Sequence, residues 1–335
     1  MKRKLIVLML LLNSLSFANE LTKNSKIQQK IVISSIIFKD KELSKNDFAK
    51  LSKNFNLDSS SLSGIVQYLI NCRKYKDDAT IKKMLYVIPQ RLASIHDTFY
   101  KGHNSNIQFK LMLLFLEQLK KYPKDTKLLW GASQICENLD KGLTINLLEQ
   151  GKKYITKKQN WAKKLGNIYE LTNNEAESYK NYKLAFEFSN KNDQKLIVGD
   201  LAYAALKLKK FTEAEKYALL CLDFASKQED RYWNKNNLIF SGNDILGLIA
   251  FEKGNFNLAC KHLIISGNTN GSAQLSSFGP DMTLANKLLR IGKKRAVISF
   301  LELCSKYWEK KLCYKWIKEI KDGKIPILNP YNILN

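Results

Sequence analysis

Histidine is the residue of this chain whose spacing first suggests chemistry. His96 and His103 lie seven residues apart with Asp97 beside the first, a grouping that could bind a metal or act as a general base. Solvated loop histidines are the simpler interpretation, and His262 is expected in a groove or at the surface. The sequence contains no Cys/His metal spacing and no nucleophile, phosphate-loop or dinucleotide motif. It therefore predicts no enzyme, no cofactor and no metal site.

Cysteine usage leaves two interpretations open. The cysteines are Cys72, Cys136, Cys221, Cys260, Cys304 and Cys313. Small core residues on helices are the simpler interpretation, since six cysteines in a chain of 335 residues do not make a disulfide-dense scaffold. Bridges between Cys221 and Cys260 or between Cys304 and Cys313 are the alternative, because the N-terminus predicts an oxidising compartment.

The N-terminus has the three parts of a secretory signal peptide. Met1–Lys4 is basic, Leu5–Leu12 is an uninterrupted apolar run, and Ser16-Phe17-Ala18 is a small-x-small cleavage site. The apolar run is far shorter than the roughly 20 residues that span a bilayer. We therefore expect residues 1–18 to be removed and the mature chain to be periplasmic or extracellular, without a transmembrane segment.

Net charge is the unusual feature of the composition. Basic residues number 55 against 31 acidic ones, which gives +24 at pH 7, and three of these positive charges lie in the predicted signal peptide. Runs such as Lys207–Lys210 and Lys293–Arg295 resemble a nucleic-acid footprint, but an exported protein seldom meets nucleic acid, which is not an expected partner. A solvated helical surface is the favoured interpretation, with an anionic envelope surface as the alternative partner.

The elements that must position any functional side chain are helices. Hydrophobic residues make up 45% of the chain and charged residues 26%, which is ordinary for a folded protein. Apolar residues recur with a helical period nearly throughout, and the chain has only five prolines. This pattern predicts an all-α protein with helices near 62–73, 78–95 and 105–121, followed from about residue 126 by antiparallel helix pairs.

Three helix pairs repeat the same order of residue sizes. Their first helices contain Leu165-Gly166-x-x-Tyr169, Leu201-Ala202-x-x-Ala205 and Leu246-Gly247-x-x-Ala250, and their second helices carry Ser178, Ala214 and Ala259. The small residues of the first helices are 36 and 45 residues apart, and an insertion at 228–237 accounts for the longer gap. Because two helices pack closely only across small side chains, each small residue should face its counterpart on the second helix. Gly254 is expected in a tight turn at positive φ.

This spacing resembles the tetratricopeptide repeat (TPR) family, whose period is about 34 residues. The segment Gly271-Ser272-Ala273-Gln274-Leu275-Ser276-Ser277-Phe278-Gly279-Pro280 is similar to the C-terminal part of a group of bacterial TPR-containing proteins without an assigned activity. The resemblance covers roughly residues 115–326 and implies an α-solenoid of stacked antiparallel TPR-like helix hairpins with a helical N-terminal region. The expected divisions are 1–18 (signal peptide), 19–122 (N-terminal region), 123–322 (repeats) and 323–335 (tail).

In stacked pairs of this kind the first helices line the concave face, so positions one turn before and after each small residue should point into a groove. These positions hold Lys163, Asn167 and Glu170, then Gly199, Tyr203 and Leu206, then Asp244, Leu248 and Phe251. Mixed polar and aromatic side chains suit an extended peptide or a partner helix. The alternative is a groove filled by the chain's own N-terminal region or tail.

Lys163 and Asn167 match the pair with which some TPR proteins hold a peptide's C-terminal carboxylate. The cooperating positions here would be Asp200, Ser241 and Ile245, and Asp200 would repel a carboxylate, so a carboxylate clamp is not expected. The predicted function is a non-enzymatic exported scaffold that binds a protein or peptide, in envelope assembly or secretion. One alternative is a lysine-rich peripheral binder of lipid or wall polymer, and another is an enzyme with an unrecognised site near the N-terminal histidines.

Overall fold

The computed structural model describes residues 81–82, 85–86 and 105–329, and the regular elements of this part of the chain are all α-helices. The predicted signal peptide, most of the N-terminal region and the end of the tail lie outside the described residues. The helices are α1 (Ser105–Lys121), α2 (Thr126–Cys136), α3 (Lys141–Lys152), α4 (Gln159–Leu171), α5 (Glu175–Glu187), α6 (Lys191–Gln194), α7 (Val198–Lys207), α8 (Phe211–Ser226), α9 (Lys235–Glu252), α10 (Phe256–Gly267), α11 (Ala273–Phe278), α12 (Thr283–Arg290), α13 (Lys294–Cys304) and α14 (Lys310–Lys321). The all-α prediction is confirmed for the described residues. None of these helices is both long and apolar enough to cross a membrane.

The chain divides into two compact units, residues 1–122 and 123–335. In the first unit, α1 buries Leu111 and Phe115, and the helical residues Ile81 and Leu85 are also buried. The rest of the helices predicted near 62–73 and 78–95 lies outside the described residues. The second unit contains α2 to α14 and all of the predicted repeats.

Consecutive helices of the second unit form antiparallel pairs, which are α2–α3, α4–α5, α7–α8, α9–α10 and α12–α13. Each pair contacts the next, and α14 packs on α13 at the end of the series. First helices also pack on first helices, α7 on α9 and α9 on α12. The predicted α-solenoid is therefore confirmed for the described residues, and three of its first helices, α7, α9 and α12, contact one another in series.

Small residues allow the helices to approach at the predicted crossings. A methyl group added to Gly166 would lie 2.7 Å from the Tyr182 ring, and the Ser178 hydroxyl on α5 donates to the Gly166 carbonyl at 3.0 Å. A methyl group on Gly247 would lie 2.4 Å from a methyl carbon of Leu284 on α12. Gly166 thus makes room within a pair, whereas Gly247 makes room for the next first helix.

The turn has the same geometry inside four of the five pairs, α4–α5, α7–α8, α9–α10 and α12–α13. Asn173, Lys209, Gly254 and Gly292 have φ angles of 56°, 56°, 76° and 78°, and they are 36, 45 and 38 residues apart. The amide of the following residue donates to the carbonyl five residues before it in every case, as Asn255 does to Ala250 at 2.8 Å. This is the Schellman arrangement that ends a helix on a left-handed residue. The positive φ predicted for Gly254 is confirmed, and two side-chain-bearing residues adopt the same turn.

The insertion predicted at 228–237 is divided between a loop and a helix. Its last three residues begin α9, which has 18 residues compared with 13 in α4 and 10 in α7. The buried side chain of Asn234 donates to the Lys195 carbonyl at 2.9 Å, and Lys195 Nζ lies 5.6 Å from the centre of the Tyr232 ring. The inserted residues therefore pack back onto the connection between α6 and α7.

In the described part of the second unit, two clusters of buried apolar side chains share Tyr203 and Leu206 at their edges. The first cluster centres on α5, α7 and α8, and the second on α10, α12, α13 and α14. The described cysteines have free thiols, and all of them except Cys260 are buried. Burial raises the pKa of Cys304 to about 12, which keeps its thiol protonated. These cysteines accordingly behave as small core residues.

We predict that Lys209→Gly stabilises the protein. A left-handed conformation costs a residue with a Cβ about 1–2 kcal/mol more than glycine, and part of this gain is offset by the larger entropy of glycine in the unfolded chain. We expect the free energy of unfolding in urea to rise by about 0.5–1 kcal/mol.

Lys209→Ala is the matched control, because it removes the same charge but retains the Cβ. It should give no comparable gain. Gly254→Ala should lower the free energy of unfolding by about 1 kcal/mol, since nothing lies within 4 Å of the added methyl group and only the backbone resists it. Equal stabilisation by Lys209→Gly and Lys209→Ala would attribute the effect to charge and contradict the turn argument.

Candidate functional site

The predicted groove residues of α4 belong to one polar network. Lys163 is half-buried and its ammonium group donates to the Leu196 carbonyl at 2.8 Å. The Tyr182 hydroxyl lies 2.9 Å from both Asn167 Oδ1 and Glu170 Oε2. Asn167 is exposed, so it is the member of this group that a partner can reach directly. We call the surface carrying the predicted groove positions of α4, α7 and α9 the first-helix face.

Two residues that the sequence analysis did not select complete this network. Lys207 at the end of α7 donates to Glu170 Oε1 at 2.7 Å and thereby joins the α7–α8 pair to the α4–α5 pair. Asp200 on α7 interacts electrostatically with Lys163 and Glu170. In the sequence Asp200 stands out only as a position that would repel a carboxylate. The helical period offers a signal for it, since Asp200 lies three residues before the predicted position Tyr203 and so shares its side of α7.

The side-chain carboxyl of Asp200 has an unusually high pKa. Its side chain is exposed to solvent, yet crowding by the surrounding protein raises its pKa to about 6, with Lys163 opposing and Glu170 adding to the shift. Between about pH 4 and pH 6 the Asp200 carboxyl therefore keeps its proton in the folded chain, whereas in the unfolded chain it loses the proton near its ordinary pKa of about 4. The contribution of Asp200 to stability falls as pH rises through this range, and a cation beside it would reverse that loss.

Tyr203 and Asp244 connect the first helices of two pairs. The Tyr203 hydroxyl on α7 donates to Asp244 Oδ2 on α9 at 2.7 Å. Asp244 is fully buried, with an exposed fraction of 0%, and its other oxygen, Oδ1, has no hydrogen-bond partner among the described residues. Burial and the nearby charge of Asp281 raise the pKa of Asp244 well above its ordinary value.

The apolar positions of the first-helix face are less open than predicted. Leu206 is half-buried and packs against both core clusters, and Phe251 is half-buried with Lys287 Nζ 5.2 Å from its ring centre. Leu248, like Asp244, is buried, with an exposed fraction of 6%. The prediction that these two residues point into an open groove is wrong. Leu248 is covered because it packs in the second core cluster with residues of α12 such as Leu284, and the Tyr203 hydroxyl of α7 meets Asp244.

The start of the tail is bound by the first helix of the last pair. The Asn286 side chain on α12 accepts a hydrogen bond from the Leu328 amide at 2.9 Å and donates to the Leu328 carbonyl at 2.8 Å. Leu328 is 2% exposed and belongs to the second core cluster, whereas Ile325 and Ile327 are exposed. Asn286 follows the packing residue Ala285 as Asn167 follows Gly166. One asparagine of this register thus already binds the backbone of a non-helical segment.

The lysine runs are only partly solvated. Lys209 and Lys210 are exposed at the turn between α7 and α8, but Lys152 and Lys164 are half-buried and pair with Glu149 and Glu137. His262 Nδ1 lies 3.1 Å from Asn243 Oδ1, and burial lowers its pKa. The other two histidines lie outside the described residues.

No protein-family model matches the chain, and no curated protein matches it. The side chains of the first-helix face combine exposed polar groups with a buried acid.

We predict that Asn286→Ala loosens the tail without unfolding the repeats. Each of the two side-chain to backbone hydrogen bonds contributes about 1 kcal/mol, so hydrogen exchange of the Leu328 amide should become roughly tenfold faster or more. Exchange measured on the full chain checks this.

Asn167→Ala is the matched control, because it removes an asparagine of the same register that does not contact the tail. It should leave Leu328 exchange unchanged. If Asn286→Ala also leaves this exchange unchanged, burial of the leucine side chain alone holds the tail, and the proposed role of the asparagine is wrong.

Proposed function

We propose that this protein is an exported scaffold of the TPR family that binds an extended segment of a partner protein on its first-helix face. The repeated packing residues, the repeated turns and the sequence resemblance support membership of the family. Residues 1–18 support export, although they lie outside the described residues. The setting we propose is assembly of the cell envelope or secretion.

The observation that carries this proposal is the asparagine that binds the tail. Asn286 pairs with both backbone groups of Leu328, and such pairing recognises any extended chain because every residue other than proline offers an N–H and a C=O. Asn167 has the same register on α4 and is exposed. A first helix at the end of the series thus binds the chain's own tail through an asparagine, and α4 carries an asparagine of the same register that a partner can reach.

The polar network around Asn167 supports the same proposal. Its members are held by internal hydrogen bonds, as Lys163 is by the Leu196 carbonyl and Glu170 by Lys207. Side chains fixed in this way lose little conformational entropy when a partner binds, which favours affinity. Burial and the neighbouring acids Asp200 and Glu170 raise the pKa of the Tyr182 hydroxyl, so it stays a hydrogen-bond donor at neutral pH.

The alternative of an anionic envelope surface as partner has weaker support. It requires lysines whose charges are available, but Lys207 is paired with Glu170 and Lys210 approaches Glu213 at 3.9 Å. The first-helix face itself also contains several acids. A partner bound there is expected to offer backbone groups and positive charge rather than phosphate.

We predict that a photo-crosslinking amino acid at position 167 captures one specific protein in intact cells. The matched control is the same amino acid at Leu219, which is 52% exposed on the second helix α8. Capture from position 167 should exceed capture from position 219 at least tenfold, as measured by mass spectrometry of the purified adducts.

An excess of wild-type protein co-expressed before irradiation should lower the yield of the adduct, because it offers the same face to the partner. Equal capture from both positions, or a yield that the wild-type protein does not lower, would show that the first-helix face is not the binding surface. Fractionation of the same cells should recover the adduct from the envelope or the medium if the chain is exported.

A further inference from the structure

Asp244 is the one described carboxylate that is both fully buried and incompletely hydrogen-bonded. Its Oδ2 accepts a hydrogen bond from Tyr203 at 2.7 Å, while Oδ1 has no partner. Buried polar atoms almost always have a partner, because an unpaired one costs about 1–3 kcal/mol. A group that meets Oδ1 would therefore complete this part of the structure.

The charges around Asp244 indicate which charge a group that meets Oδ1 should carry. The groups that act on its carboxyl are Tyr203 from α7 and Asp281 from the segment before α12. Asp281 is exposed, and one of its oxygens accepts from the Thr283 amide at 2.7 Å. Two acids and a phenol with no opposing base favour a cation, although the chain as a whole carries +24.

A proton on Asp244 does not remove the need for a partner. Protonation neutralises the charge, but the resulting hydroxyl at Oδ1 would itself be a buried donor without an acceptor. A metal ion fits poorly, because hard cations require about six oxygen ligands and this cluster offers three side chains. An ammonium or guanidinium group fits better, since it supplies several N–H donors and is attracted to an aromatic ring.

We propose that Asp244, Tyr203 and Asp281 form a seat for one alkylammonium or guanidinium group, the head of a lysine or arginine side chain on the bound segment. Asp244 has the register on α9 that Lys163 has on α4, but it lies fully buried beneath the first-helix face. Tyr203 is half-buried and Asp281 is exposed, so the edge of the cluster meets solvent. This assignment rests on the proposed function and adds the chemistry of one partner residue to it.

Binding to this seat is coupled to a proton. Burial and Asp281 hold the Asp244 carboxyl in its protonated form, so a cation that binds there displaces the proton into solvent. The apparent affinity should therefore rise with pH, by about tenfold per unit, until pH exceeds the pKa of Asp244. The phenol of Tyr203 does not titrate in this range, because burial and Asp244 raise its pKa. Neither His262 nor Cys221 is among the groups that act on Asp244.

The test uses the full-length protein and n-butylguanidinium as the probe, with n-butanol as the uncharged comparison. Calorimetry should show saturable binding of n-butylguanidinium at one site with release of a proton, and no binding of n-butanol. Asp244→Asn retains an acceptor for Tyr203 but removes the charge, and it should weaken probe binding at least tenfold. Its circular dichroism should match that of the wild type, which separates loss of the seat from loss of the fold.

Glu252→Gln is the matched control, because it removes one negative charge from α9 at an exposed residue outside the seat and outside the predicted groove positions. It should bind the probe as the wild type does. Equal weakening by Glu252→Gln and Asp244→Asn would attribute binding to the general charge of the surface and overturn the proposal, as would an Asp244→Asn protein that binds normally. Absence of saturable binding to the wild type would also overturn it, whereas crosslinking from position 167 would still test the proposed function separately.

Discussion

Close packing across small residues is the constraint from which the rest of this structure follows. At Gly166 the Tyr182 ring occupies the space that any larger side chain would need, and at Gly247 a leucine of the next first helix does so. These approaches bring first helices into contact with one another as well as with their own second helices. Side chains one turn away from the packing residues are therefore collected from several helices onto one face, which no single pair could provide.

The polar groups collected on that face differ in how they are satisfied. Near α4 they satisfy each other, through Tyr182, Glu170 and Lys207. On α12 an asparagine is satisfied by the backbone of the chain's own tail. On α9 the Asp244 carboxyl is satisfied on one side only. The polar groups of these first helices are thus fully paired near α4, paired with the tail on α12 and incompletely paired on α9. This difference in hydrogen bonding is the physical basis on which we propose a binding surface here rather than an ordinary part of the core.

The sequence predicted the repeat well because packing and turn chemistry are local. Small residues at fixed intervals and the glycine at position 254 indicated both the helix pairs and their turns, and the structure has them at those places. Openness of the groove could not be predicted, because it depends on contacts between helices far apart in the sequence. Leu248 packs in one cluster with Leu284 of α12, and Asp244 meets Tyr203 of α7. The hydrogen bonds between Asn286 and Leu328 join residues 42 positions apart, so no local sequence pattern indicates them. The left-handed turn at Lys209 could not be predicted either, because lysine, unlike glycine, does not indicate a positive φ.

If partners bind to the first helices, hydrogen exchange should show it. Amide exchange along the whole chain would be compared with and without the partner protein that is crosslinked at position 167. We expect slower exchange in α4, α7 and α9, with little change in the second helices α5, α8 and α10. Protection confined to the second helices, with the first helices unchanged, would contradict it.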